Sequence, residues 1–219
     1  MEDFYKAVLN LGVYAPLVCA LAVACFWPFI SARAAKALAL ASSAVLAAAG
    51  IALWCAMPAD GSFAFSSDLT LAGVALPQFA LNGVSAPIFA LAGIVGFAAV
   101  WQAACSEIRN AKLYFMLLSV MLGGLAGAFA SVNLLWMYAF HEFALVPTFI
   151  AMNIWGGAGR RMAAMQMAVY LTLGALVSLA GIIALYAQSN AGSFGLQDIA
   201  LAAAVNPLSL IHISEPTRP

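Results

Sequence analysis

Six stretches of this sequence run for about 20 residues with almost no charge, and nothing else in it limits the fold as much. They lie near Val8–Ile30, Ala37–Met57, Phe79–Ala104, Leu113–Ala130, Leu134–Trp155 and Met162–Ala187. A helix needs roughly 20 apolar residues to cross a hydrocarbon core of ~30 Å. In lipid each backbone N–H and C=O must be paired within the chain, and barrel strands span only ~10 residues of alternating polarity. The runs therefore predict an all-α polytopic membrane protein with about six transmembrane helices. Composition agrees, because 66% of the 219 residues are hydrophobic and 7% are charged, against about 25% charged in soluble domains.

The loops give a sidedness. Arg33 and Lys36 lie between the first and second runs, Arg109 and Lys112 between the third and fourth, and Arg160 and Arg161 between the fifth and sixth. With six crossings all of these fall on one side, and the other side carries only Lys6 before the last residues. Positive-inside sorting makes the basic loops cytoplasmic and puts the N-terminus outside. The first residues hold Glu2 and Asp3 against Lys6, unlike the basic start of a signal peptide, so the first run is expected to stay as a spanning helix. Net charge is zero, which offers no basic surface for nucleic acid. The expected partners are the lipid bilayer, protons and other membrane subunits.

Several features carry less weight. Cys19, Cys25, Cys55 and Cys105 have no ligand spacing and read as small hydrophobes, so no metal is expected. The long loop Pro58–Gln78 alternates in part at Phe63, Phe65, Leu69, Leu71, Val74 and Leu76, which suggests a surface hairpin. Gly123 and Gly127 form either a small-xxx-small contact or ordinary glycine usage in a membrane helix. Leu208–Arg218, LSLIHISEPTR, is unlike everything before it and is similar to the translation of a transposase sequencing adapter. Residues 1–207 are therefore taken as the transmembrane domain and 208–219 as read-through, which leaves His212 and Glu215 without a role.

Glu142 is the sole acid between Lys112 and Arg160 and lies near the middle of the fifth run. An ionisable group at that depth costs roughly 2.5–3.5 kcal/mol on insertion scales. It serves either as a neutral packing acid or in proton or ion handling. Tyr138, four residues earlier, shares its face and can donate a hydrogen bond. His141 is turned about 100° around the helix and is expected to face elsewhere, as a second proton station or a packing histidine. Pro147 removes a backbone hydrogen bond, which frees the Phe143 carbonyl and kinks the helix. Gln166 and Tyr170, four apart on the sixth run, share a face and can point into the same interior. Burial favours a neutral carboxyl and a nearby cation favours a charged one, so a movable cation can load and unload a proton. No fixed cation lies within the six runs, so the counter-charge is expected from a further segment or another protein.

The stretch Leu134–Gly157, LLWMYAFHEFALVPTFIAMNIWGG, resembles the fifth helix of subunit M of the proton-pumping NADH-quinone oxidoreductase, respiratory complex I. The family's glutamate falls on Glu142, its proline on Pro147 and its Trp-Gly-Gly loop on Trp155, Gly156 and Gly157. Asn82–Ser85 is similar to the family's Asp-Gly-[Ile/Leu]-Ser at the start of its third helix, and RRMAAMQMAVYLTLGALVSL is similar to its sixth. The likeness covers about Phe79 to Ala187.

The resemblance implies the N-terminal part of a roughly fourteen-helix subunit in a bacterial inner membrane, with its N-terminus outside. It implies Glu142 as the proton-carrying carboxylate, with other membrane-arm subunits as partners. It also implies no redox cofactor here, NADH, flavin, iron–sulfur clusters and quinone belonging to partner subunits. Three residues depart from the family: Asn82 replaces an aspartate, His141 a tryptophan, and Gln166 stands where a lysine is common. A charge pair between the fifth and sixth helices is thereby put in question. A subunit of a sodium/proton antiporter or membrane-bound hydrogenase is the alternative, because these share the glutamate-bearing helix. A non-transporting scaffold with a packing acid is the third reading.

Overall fold

The computed structural model describes residues 2–67, 70–71, 74–75, 77–189 and 192–205. Six long helices dominate: α1 (Glu2–Cys25), α2 (Ala32–Cys55), α3 (Ser85–Cys105), α4 (Ala111–Ala130), α5 (Leu134–Trp155) and α6 (Arg160–Ser189). Each is long and apolar enough to cross a membrane. At 1.5 Å per residue even α4, the shortest, extends ~30 Å. A short helix α7 (Leu196–Val205) follows them. The stretch set aside as read-through lies outside the described residues, as do Leu69 and Leu76 of the long loop.

The third apolar run is the one whose outline changes. Its first residues are a strand and α3 begins only at Ser85, because Asn82 caps it. The Asn82 Oδ1 accepts from the N–H groups of Val84 (3.0 Å) and Ser85 (2.7 Å). In return the Ser85 hydroxyl oxygen accepts from the Asn82 N–H at 2.9 Å. These two residues satisfy donors that the first turn leaves unpaired.

The hairpin expected in the long loop is present. Strand β1 (Ala64–Ser67) pairs antiparallel with β4 (Phe79–Leu81), and β2 (Thr70–Leu71) with β3 (Val74–Ala75) lies between them in sequence. The Ser67 hydroxyl donates to Asn10 Oδ1 at 2.8 Å, which ties the hairpin to α1. Phe79 is fully buried. Its ring lies 5.5 Å from Tyr14 and 5.6 Å from Phe140, so one loop residue packs against both α1 and α5.

Helices α1 to α4 form the packed centre, with Leu9, Leu46, Leu53, Phe89, Val100 and Phe115 wholly or almost wholly buried. Helices α2 and α3 approach closely because a Cβ on Gly50 would stand 2.7 Å from the Ala90 Cα, and one on Gly93 2.8 Å from the Ala47 Cα. The basic loops meet at one end of the bundle. There the Lys36 ammonium donates to the Ala104 carbonyl, Lys112 to the Trp27 carbonyl, and the Trp155 indole to the Arg109 carbonyl. These three bonds bring the connections α1–α2, α3–α4 and α5–α6 together at that end.

Candidate functional site

The site is organised by α5, which is anchored at both ends. At its start the Asn133 Oδ1 accepts from the N–H groups of Leu135 (3.0 Å) and Trp136 (3.3 Å). The segment before α7 holds the same end, with Leu134 N–H donating to the Phe194 carbonyl (3.0 Å) and Leu196 N–H to the Val132 carbonyl (2.8 Å). At its far end the Trp155 ring meets the edge of Tyr114 at 5.0 Å.

Between these ends α5 lies against α4, and glycine decides how closely. A Cβ on Gly124 would fall 2.7 Å from the Ala144 nitrogen and 2.8 Å from the Phe140 carbonyl oxygen; one on Gly127 would fall 2.4 Å from the Phe140 ring. A Cβ on Gly123 would instead meet Leu17 of α1 at 2.5 Å. The expected Gly123–Gly127 pair is thus divided between two neighbours. Gly124, which the spacing alone did not single out, completes the α5 contact. The adjacent glycines 123 and 124 could have revealed it, since neighbouring helix positions must serve different faces.

Pro147 is buried and α5 runs helical through it. The turn around it is braced by Thr148, whose hydroxyl donates to the Ala144 carbonyl at 2.8 Å. A cavity of about 440 Å³ opens between α4 and α5 from Pro147 towards Trp155, with Tyr114, Met121, Thr148 and Met152 among its walls. It begins more than one turn beyond Glu142.

Glu142 has one third of its side chain exposed, yet its Oε1 is shielded and has no hydrogen-bond partner among the described residues. Buried polar atoms are nearly always paired, so this oxygen calls for an explanation. Tyr138 lies beside the same carboxyl, as its position one turn earlier predicts. His141 departs from expectation. Its Nδ1 comes to 3.9 Å from Glu142 Oε1, because two long side chains can bend together across the 100° that separates their Cα positions. At that distance the contact is an ion pair when the imidazole is charged, and too long for a hydrogen bond.

Gln166 and Tyr170 stand apart from this group. Helix α6 packs on α5 along a stripe of Ala164, Ala168, Leu171, Ala175, Leu179 and Ile182, all at least half-buried. Gln166 and Tyr170 each fall two residues past a stripe position, about 200° around the helix, and both are exposed, Tyr170 by 74%. The expectation that they share an interior with Glu142 is not met. Among the described residues no three His, Cys, Asp or Glu side chains come together as metal ligands.

Residues 131–214 match the family described as NADH:quinone oxidoreductase/Mrp antiporter, transmembrane domain. The match includes all of α5 and α6, and also residues 208–214 of the stretch set aside as read-through. The chain is 38% identical over 88 residues to NADH-quinone oxidoreductase subunit M of Rickettsia bellii, which is 40% of this chain and 17% of that protein. It is 31% identical over 98 residues to NAD(P)H-quinone oxidoreductase chain 4 of Gloeobacter violaceus, 45% of this chain and 19% of that protein. The chain thus spans under a fifth of the length of these relatives.

A likeness of fold to chains of solved membrane complexes extends over nearly the whole chain. A subunit of respiratory complex I from Thermus thermophilus with bound NADH superposes with a TM-score of 0.66 at 23% identity, covering 89% of this chain and 38% of that one. A chain of the Mrp complex from Dietzia sp. does so with 0.72 at 20% identity, covering 92% and 39%.

Proposed function

We propose that this chain acts as a proton-translocating membrane-arm subunit of an NADH-quinone oxidoreductase, with Glu142 as the carboxylate that takes up and releases the proton. The observation that carries the reading is the shielded, unpartnered Oε1 of Glu142 in the middle of a spanning helix, within a stretch matched to a family of such subunits. An ionisable group retained at that depth is expensive unless it is used. The chain would carry no redox group itself. NADH, flavin, iron–sulfur clusters and quinone would be held by partner subunits, and other membrane-arm subunits would flank this one. The basic loops would face the cytoplasm of a bacterial inner membrane, with the N-terminus outside.

The family description spans both oxidoreductases and Mrp antiporters, so a sodium/proton antiporter subunit is the second reading, and a membrane-bound hydrogenase subunit shares its logic. Glu142→Gln in the assembled complex, measured as proton flux into closed vesicles, tests the carboxylate. Loss of coupled flux with the complex intact is the expected result. An unchanged proton-to-electron ratio would leave the scaffold reading in its place. Sodium dependence of the flux separates the antiporter reading from the pump.

A further inference from the structure

We propose that His141 is the proton-exchange partner of Glu142, so that the working unit on α5 is a histidine–carboxylate pair that handles a proton and not a metal cation. This deepens the functional reading above and rests on it. The geometry is specific. The His141 Nδ1 stands 3.9 Å from Oε1, the one carboxyl oxygen that is shielded and unpartnered. The imidazole itself is 56% exposed, so one side of the ring can meet a proton donor while the other faces the carboxyl.

Among the described residues, the other basic and titratable groups near α5 are occupied or distant. Lys6 pairs with Glu2, and Lys36 and Lys112 reach backbone carbonyls at the basic end. Tyr114 of α4 packs on Trp155, thirteen residues or ~20 Å along the helix from Glu142. Arg160 and Arg161 begin α6, its Tyr170 is exposed, and its Tyr186 stacks on Phe194 at the opposite end. Asp198 of α7 is bonded to Ser193. On α5 itself the remaining titratable neighbour is Tyr138, on the carboxyl.

The step balances with one proton. A neutral ring carrying its hydrogen on Nδ1 takes up a proton at Nε2 from a protonated group brought to its open side. An approach of about 1 Å then brings Nδ1 and Oε1 within hydrogen-bonding distance. The Nδ1 proton passes to the carboxylate, which leaves a neutral imidazole and a neutral carboxyl. The carboxyl releases the proton to the next acceptor and recovers its charge, and a flip of the ring then turns Nε2–H towards the carboxylate and leaves the bare Nδ1 outward to take up the next proton. No electron moves. Hard cations are held by several oxygens, whereas this carboxyl has a phenol and an imidazole beside it, which suits a proton.

The test is proton flux in closed vesicles holding the assembled complex, measured as a function of pH. His141→Gln keeps a polar side chain of similar size that does not titrate. It is expected to lower flux about tenfold or more, as loss of an acid–base group does, and to flatten the pH profile. His141→Asn is expected to do the same. Normal flux with a normal profile in either variant, where Glu142→Gln abolishes flux, would overturn the pair and leave Glu142 in place. Silent variants at both positions would remove the functional reading itself. In the unaltered protein, replacing sodium with potassium should leave flux unchanged. A strict sodium requirement would overturn the proton assignment even if no His141 variant assembles.

Discussion

Gly124→Ala puts a single methyl where α4 and α5 touch. The added Cβ would lie 2.7 Å from the Ala144 nitrogen, 2.8 Å from the Phe140 oxygen and 2.8 Å from the Phe143 carbonyl carbon. Ordinary contact begins at 3.4 Å, so the helices must separate by about 0.7 Å, and all three obstructing atoms are backbone and cannot rotate away. Overpacking of this kind costs typically ~1–3 kcal/mol. Three simultaneous backbone contacts place it in the upper half of that range. Alanine is the better helix former by about 0.8–1 kcal/mol, which reduces the net loss to roughly 1–2 kcal/mol.

Gly174→Ala on α6 supplies the control, since a Cβ there meets nothing within 4 Å and gains the propensity alone. The difference between the two variants therefore isolates the interhelical contact and should be about 2–3 kcal/mol. Steric-trap unfolding of each variant in bicelles measures it. Equal stabilities for Gly124→Ala and Gly174→Ala would refute the claim that backbone contact at Gly124 fixes the position of α5.

Three smaller changes test the surroundings. Phe79→Ala removes a fully buried ring that packs on Tyr14 and Phe140, and should cost about 3–5 kcal/mol in the same unfolding assay. A loss below ~1 kcal/mol would mean that the hairpin does not brace α1 and α5. Asn82→Ala deletes the acceptor for two N–H groups at the start of α3 and should cost ~1 kcal/mol, whereas Asn82→Asp keeps the acceptor and should be close to neutral. In the exposed loop, the Ser62 N–H and hydroxyl donate to Asp60 (3.2 and 2.9 Å) and hold its carboxyl below the ordinary carboxylate range. Because the folded value is the lower one, this turn is favoured above the ordinary carboxylate range and the gain is lost as pH falls through the folded value. Ser62→Ala should raise the Asp60 midpoint in a carboxyl NMR titration; an unmoved midpoint would show that the hydroxyl bond is absent in solution.

The spanning helices were legible because the membrane imposes one requirement, a length of unbroken apolar chain, that composition alone satisfies or fails. Boundaries were less so. The third run continued through Phe79–Leu81 because a strand and a buried helix can share the same apolar residues, and the cap at Asn82 was the signal that separated them. The direction in which a helix face turns is not written in spacing. Gln166 and Tyr170 share a face by spacing, yet spacing cannot say which way that face turns, and on α6 the stripe of small and branched residues took the contact with α5. For Tyr138 the reference point was Glu142 on the same helix, so the one-turn rule sufficed. His141 escapes the one-turn rule because Cα positions are 100° apart while the side chains are long enough to close the gap.

The two most constrained features of α5 lie back to back. Phe140 and Ala144 meet α4 at Gly124 and Gly127, and Glu142, two residues from each, lies about 200° around the helix from Phe140. A contact made of backbone on one face thus sets the azimuth of the acid on the other, with no flexible side chain between them to absorb a shift. Pro147 leaves the turn after Glu142 short of one backbone hydrogen bond, so α5 can yield there while the segment from Phe140 to Ala144 stays pressed to α4. The His141–Glu142 separation of 3.9 Å needs to change by only about 1 Å to become a hydrogen bond, which is the same scale as the displacement a methyl at Gly124 imposes. Gly124→Ala should therefore reduce proton flux although it touches neither residue, and it should do so with Glu142 and His141 both present. If flux is normal while the helices have separated, the position of α5 does not control the pair.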